Sequence, residues 1–226
     1  AFQAFVARLG MVNSLAQTLI KITAPGVPDF YQGTEVWNFS LVDPDNRRPV
    51  DFASRISLLE GLRERIAMGN LVELARELVE QWMDGRIKLY TIHRALTYRR
   101  SAPDLFRAGE YVPLSTGGAY AEHVCAFARR QATTAVLTVV PRLVAGLTDN
   151  GARLPLGTEV WGDTRVLLPK DLPDGPYLNL FTGTEVRTRP VDAAVGLPVG
   201  DLLAEFPVAL LDLTPSPAMA DSGGTL

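Results

Sequence analysis

Reactive and metal-binding side chains are scarce in this sequence of 226 residues. Cys125 is the only cysteine, so no disulfide bond can form within the chain. His93 and His123 are the only histidines, too few for a zinc or haem site, and we expect no metal and no cofactor. A lone cysteine is typical of a reducing compartment, which predicts a cytoplasmic location.

Long apolar runs and an excess of one charge are also missing. No run reaches the roughly 18 apolar residues of a membrane-spanning helix, so we expect no membrane segment. The 22 basic and 25 acidic residues give a net charge of −3, which argues against a nucleic-acid or membrane-surface partner. The first residues have no basic leader and open directly on a helical pattern, so we expect the sequence to begin inside a longer protein.

The first half of the chain has helical periodicity. Apolar residues recur at helical spacing between Phe2 and Ile20, and further helices are predicted from near Phe52, over 71–83 and over 86–100. A short apolar stretch at 28–32, bounded by glycine and proline, predicts a buried strand. The polar segment 33–51 then follows, and connections of that length are commonly functional.

After Pro103 the pattern changes to short β segments separated by turn residues. Many short strands at modest spacing predict an antiparallel sandwich. The tail 215–226 is small and polar and is predicted to be disordered. The predicted strands cover 110–114, 123–129, 135–141, 159–161, 165–168, 177–179, 185–188 and 208–213.

The order helix, buried strand, long loop and helix is typical of an α/β protein. In a (β/α)8 barrel the active site is built from loops that leave the carboxyl ends of the strands. The loop 33–51 leaves that end of its predicted strand, so it would face an active site. The alternative, that this loop only closes the barrel, stays open on spacing alone.

Three segments resemble known families. Residues 24–35, APGVPDFYQGTE, resemble the eighth-strand motif of the α-amylase superfamily, and 92–105, IHRALTYRRSAPDL, resemble its final barrel helix. Residues 40–51, SLVDPDNRRPVD, are similar to the maltooligosyl trehalose synthase family. The resemblance implies an α/β plus all-β fold: the C-terminal end of a (β/α)8 barrel over 1–108, followed by an antiparallel β-sandwich domain over 109–214.

The family resemblance also implies a reaction. Its members are intramolecular transglucosylases that convert the reducing-end α-1,4 linkage of a maltooligosaccharide into an α,α-1,1 linkage, by retaining chemistry with two carboxylates. The superfamily takes its three catalytic acids from strands four, five and seven, all of which would precede residue 1. We therefore assign no catalytic residue and expect the chain alone to be inactive. Its expected partners are a maltooligosaccharide and the missing N-terminal part of the barrel.

The eighth-strand loop would contribute to the sugar site. Its rings could stack on a pyranose face, and its polar groups could hydrogen-bond sugar hydroxyls. Other roles stay open: Glu35 could brace the loop, Trp37 and Phe39 could pin it, and the charged run could form an internal ion-pair lattice beside a capping Asp51. The candidate substrate-binding residues are Tyr31, Gln32, Glu35, Trp37, Asp43, Asp45, Asn46, Arg47 and Arg48.

Two rival functions remain from sequence alone. The chain could belong to another hydrolase or glucanotransferase of the α-amylase superfamily, although the run 40–51 favours the trehalose-forming family. It could also be a non-catalytic carbohydrate-binding fragment.

Overall fold

Helices fill the first half of the molecule and antiparallel strands the second, in a computed structural model that describes residues 2–148, 153–172, 175–191 and 194–213. The predicted tail 215–226 lies outside these residues. The helices are α1 Phe2–Thr23, α2 Phe52–Ala67, α3 Leu71–Glu80, α4 Arg86–Ser101, α5 Pro103–Ala108, α6 Gly157–Trp161 and α7 Val199–Leu202. The strands are β1 Glu110–Pro113, β2 Thr116–Gly117, β3 Val124–Gln131, β4 Thr134–Pro141, β5 Arg165–Leu168, β6 Tyr177–Asn179, β7 Glu185–Val186, β8 Arg189–Val191, β9 Ala194–Pro198 and β10 Ala209–Asp212.

Local signals set the starts of three long helices, and the cap at Asp51 is one that the sequence suggests. Asp51 caps α2, since its carboxylate accepts a hydrogen bond from the Ser54 amide at 3.0 Å. Asn70 caps α3 by accepting from the amide of Glu73. Gly85 precedes α4 with φ of 85°, a conformation that suits glycine.

The strands form two sheets in which every pair is antiparallel. The larger has six strands in the order β1-β3-β4-β10-β6-β7, and the smaller has four in the order β2-β5-β9-β8. Side chains alternate between the two faces of β4. Val136 and Val140 join a core cluster with the helices, whereas Leu137 and Val139 join a second cluster with residues of the smaller sheet.

The helices and the larger sheet share one hydrophobic core. Leu15 and Leu19 of α1 and Tyr90 of α4 are fully buried in the same cluster as Val136 of β4. Polar contacts cross this layer too: the Tyr90 hydroxyl donates to the carbonyl oxygen of Phe181 at 2.6 Å. These contacts fix α1 and α4 against the larger sheet.

Two predicted strands are wrong. The segment 28–32 has no regular secondary structure, because a strand needs a neighbouring strand to bond with and none of the described strands pairs with it. Residues 159–161 belong to the helical turn α6, where the indole of Trp161 is fully buried and donates to the carbonyl oxygen of Pro155 at 2.9 Å. Three residues carry too little periodicity to distinguish a strand from a helical turn.

Candidate functional site

The loop 33–51 begins with a tight turn at Gly33. Its φ is 85°, and a Cβ there would lie 2.9 Å from Cγ2 of Val50, so only glycine fits without a shift. The Thr34 hydroxyl donates to the carbonyl oxygen of Tyr31 at 2.7 Å and closes the turn. The two ends of the loop are therefore in contact at its root.

Arg55, on the first turn of α2, holds that root together. Its Nη2 donates to the Gly33 carbonyl oxygen at 2.8 Å, its Nε to Oε2 of Glu35 at 3.0 Å, and its Nη1 to the Asp51 carbonyl oxygen at 3.0 Å. The other carboxylate oxygen of Glu35 accepts from the Gly33 amide at 3.3 Å. Glu35 therefore braces the loop in this structure. The sequence patterns do not predict this role of Arg55, although its place four residues after the capping Asp51 is a usable signal.

The two aromatic side chains of the loop have different surroundings. Trp37 is partly buried, and its Nε1 donates to the carbonyl oxygen of Trp82 at 2.7 Å. The backbone of Trp37 approaches Gly85 so closely that a Cβ there would lie 3.0 Å from its amide nitrogen. Trp37 thus pins the loop to the turn before α4. The side chain of Phe39, in contrast, is 57% exposed.

The charged run forms a lattice of local contacts. Arg47 is ion-paired with Asp43 and Arg48 with Asp45, while the second oxygen of the Asp45 carboxylate accepts from the Leu41 amide at 2.7 Å. The two guanidinium groups are still largely exposed, at 71% and 77% of their side-chain areas. Such ion pairs at the surface add little stability, so both arginines remain available to an external acceptor.

Tyr31 and Asn46 bring the root of the loop next to this lattice. The Tyr31 hydroxyl donates to the carbonyl oxygen of Asn46 at 3.4 Å, and the Tyr31 side chain is half exposed. The Oδ1 atom of Asn46 is buried and has no hydrogen-bond partner among the described residues. Gln32 is exposed beside Tyr31. The structure therefore brings Tyr31 to Asn46, which precedes Arg47 and Arg48 in the chain, while Trp37 is directed at another part of the molecule.

Lys88 of α4 is a buried cation near the root of the loop, and no sequence pattern predicts it. Its pKa is lowered to about 8, mainly by burial and also by the positive charge of Lys21, while the carboxylate of Glu35 acts in the opposite direction. Lys21 itself lies over the ring of Phe30, 3.9 Å from the centroid. The helical pattern of the sequence gave no signal for this cluster.

The remaining chemistry of the described residues is limited. They contain no group of three or more His, Cys, Asp or Glu side chains that could hold a metal ion. None of the helices in these residues is both long and apolar enough to cross a membrane. The pKa of the Asp51 carboxyl is lowered by the hydrogen bond from the Ser54 side chain, as suits a helix cap.

Comparisons with known proteins give a consistent set of relatives. No family model matches the chain. Two curated proteins, from two strains of Mycobacterium tuberculosis, bear the name maltooligosyl trehalose synthase and are 35% identical to this chain over 199 residues. Each alignment covers 88% of this chain but only 20% of the relative, so the chain spans about a fifth of the length of these two proteins.

Solved structures agree with these relatives. The maltooligosyltrehalose synthase of Arthrobacter ramosus is 37% identical, with a TM-score of 0.64, over 89% of this chain and 22% of that one. An Anoxybacillus alpha-amylase matches at a TM-score of 0.51 and 18% identity, over 95% of this chain and 33% of that one. At that identity the likeness concerns the fold alone.

Proposed function

We propose that this chain, which belongs to the maltooligosyl trehalose synthase family and corresponds to the C-terminal portion of its members, forms one wall of the glucan site of such an enzyme. The enzyme would be an intramolecular transglucosylase that converts the reducing-end α-1,4 linkage of a maltooligosaccharide into an α,α-1,1 linkage. The observation that carries this proposal is the 35% identity over 199 residues, a span that accounts for 88% of the chain.

The chemistry of the loop 33–51 suits a sugar. In this proposal the side chains that touch the glucan are Tyr31, Gln32, Asn46, Arg47 and Arg48. Guanidinium groups donate to hydroxyl oxygens, and the unpartnered Oδ1 of Asn46 can accept from a hydroxyl group. The exposed rings of Tyr31 and Phe39 offer apolar faces for a pyranose.

The other candidates would act by holding these groups in place. Glu35 and Trp37 tie the loop to Arg55 and to Trp82, and Asp43 and Asp45 orient the two arginines. A sugar site needs such fixed donors and acceptors, because every side chain that orders only on binding costs affinity. The rigidity of the loop is therefore part of the proposed function.

The reactive groups would come from outside this chain. Retaining glycosyl transfer needs a carboxylic acid whose pKa is raised, next to a carboxylate nucleophile. Hydrogen bonds instead lower the pKa of Asp51, Glu77, Asp171 and Glu205. We infer that residues 1–108 are the end of a (β/α)8 barrel and 109–214 a β-sandwich domain.

The experiment compares the purified chain with the same chain co-expressed with the polypeptide encoded immediately upstream of residue 1. Each sample is incubated with maltopentaose, and reducing ends and α,α-1,1 linkages are followed by reducing-sugar assay and by NMR. The chain alone should give no product, and the pair should lose reducing ends without releasing shorter sugars. Product from the chain alone, or only shorter maltooligosaccharides from the pair, would contradict the proposal.

A further inference from the structure

A groove of about 640 Å³ lies between α2 and α4 at the root of the loop. Its apolar lining consists of Leu59 from α2 and Leu89, Ile92 and Leu96 from α4. The Glu35 carboxylate lines one part of it, but that group is already bonded to Arg55. This part of the groove is therefore apolar, and its one carboxylate is already paired.

The rest of the groove is positively charged. Arg63 and Arg100 line it, and neither forms an ion pair with any residue in the described part of the chain. His93 lines the groove too, and its pKa is lowered by burial and by the charges of Arg94, Arg63 and Arg100. The Nδ1 atom of His93 is buried with no hydrogen-bond partner among the described residues.

The outer face of α2 continues this apolar surface. Phe52, Ile56, Leu59, Leu62 and Ile66 recur at helical spacing, a pattern that predicts a buried helix face. Only Leu62 is buried, while Phe52 is 52% exposed and Ile56 56% exposed. A contiguous apolar face of this kind marks a contact surface for another protein segment.

We propose that the groove between α2 and α4 receives an apolar protein segment that carries a carboxylate, with its apolar side chains on Leu59 and Ile92 and its carboxylate between Arg63 and Arg100. The unpaired guanidinium groups select an acidic occupant by charge complementarity. The chain spans only 20% of its curated relatives, so a full-length relative has ample length outside the matched region to supply that segment. The identity of the occupant rests on the proposed function, because it assigns the segment to the rest of the same enzyme.

The test measures binding of the polypeptide encoded upstream to three forms of the chain: wild type, the charge-reversal pair Arg63→Glu with Arg100→Glu, and a matched control, Arg142→Glu with Lys170→Glu. The control residues are exposed, lie outside the groove and change the net charge by the same amount. Circular dichroism and thermal melting of the separate chains establish that all three fold alike.

The groove pair should bind at least about tenfold more weakly than the control, because each reversed charge meets a carboxylate. High salt should weaken wild type more than the groove pair, since screening acts on the attraction that the pair lacks. Equal binding by the groove pair and the control, or no binding by wild type, would overturn the inference. A wild-type dimer that the groove pair dissociates would assign the groove to a second copy and overturn it too.

The same samples are assayed with maltopentaose, so that the two proposals fail separately. If the groove pair and the control bind equally and the mixture forms α,α-1,1 linkages, the groove inference fails and the proposed function stands. If the groove pair binds weakly but no such linkage forms in any sample, the proposed reaction fails and the docking surface stands.

Discussion

Two cations at the root of the loop 33–51 have opposite surroundings. The Arg55 guanidinium donates to three acceptors, at Gly33, Glu35 and Asp51. Lys88 is 8% exposed, has another cation nearby, and faces a Glu35 carboxylate that Arg55 already uses. One cation therefore stabilises the loop, whereas the other costs folding free energy as long as it carries its charge.

Replacing Arg55 with Ala should loosen the loop. The change removes three hydrogen bonds and leaves the Glu35 carboxylate unpaired, so we expect a loss of about 1–3 kcal/mol in the free energy of unfolding. Arg55→Lys should restore only part of it, because an ammonium group cannot span three acceptors as a planar guanidinium does. Urea unfolding and amide exchange of residues 33–37 measure the effect. An Arg55→Ala chain as stable as an Arg142→Ala control would contradict this role.

Lys88 should make the stability of the chain depend on pH. The pKa of Lys88 is about 8 in the folded chain against 10.5 ordinarily, so the unfolded chain binds more protons between these values. The free energy of unfolding should therefore rise as pH increases through that window. The destabilising contribution of Lys88 should be largest below about pH 8, where the folded chain also carries the charge. Lys88→Met should abolish the rise and add about 1–2 kcal/mol near pH 7.

Urea midpoints at several pH values from about 7 to 9.5 measure this dependence. Lys170→Met, at an exposed site, is the control and should keep the wild-type slope. A rise that persists in Lys88→Met would show that another group is responsible.

At the scale of elements, the sequence predicts the features that depend on contacts between residues close together in the chain. The capping of α2 by Asp51 and the pairing of Asp43 with Arg47 involve residues three or four positions apart, so a sequence pattern contains them. The contact of Trp37 with Trp82 joins residues 45 positions apart, and no pattern reports it. The segment 28–32 shows the same limit, because a strand depends on partners that lie elsewhere in a fold.

The exposed ring of Phe39, rather than the pinned ring of Trp37, should stack on sugar. In the chain co-expressed with its upstream polypeptide, Phe39→Ala should weaken maltopentaose binding by about 1–2 kcal/mol, as loss of a ring contact does. Trp37→Phe keeps a ring but loses the hydrogen bond to Trp82, so it should lower the stability of the loop by about 1 kcal/mol. Calorimetric titration and amide exchange separate the two effects. Unchanged binding in Phe39→Ala would exclude the stacking role.

At the scale of the whole molecule, the predicted boundary near residue 108 does not divide the core. Side chains of α1 and α4 pack in one cluster with Val136 and Val140 of β4. The Tyr98 hydroxyl donates to Oδ1 of Asp212 at 3.0 Å, and Arg94 donates to the carbonyl oxygen of Leu180 at 2.7 Å. The sequence indicates helices followed by strands, but periodicity cannot report which faces of the two parts meet.

This shared core should make the chain unfold as one unit. Tyr90→Phe removes the hydroxyl group that bonds Phe181 and leaves a buried carbonyl oxygen without that donor, so it should cost about 1–2 kcal/mol. Amide exchange should show the loss in α4 and in β4 alike. Destabilisation of the helices alone, with β4 protected as in wild type, would mean that the two parts unfold independently.

The turn 180–183 has a consequence for how such proteins can diverge. Its backbone accepts hydrogen bonds from Tyr90 and Arg94, and Leu71 lies 3.4 Å from where a Cβ on Gly183 would be. A recombination event at residue 108 between two homologues would join helices from one parent to a turn from the other. Hybrids with matching residues at these contacts should survive, so the helices and this turn are expected to be inherited together even though the hydrogen-bonded residues lie 86 and 91 positions apart in the chain.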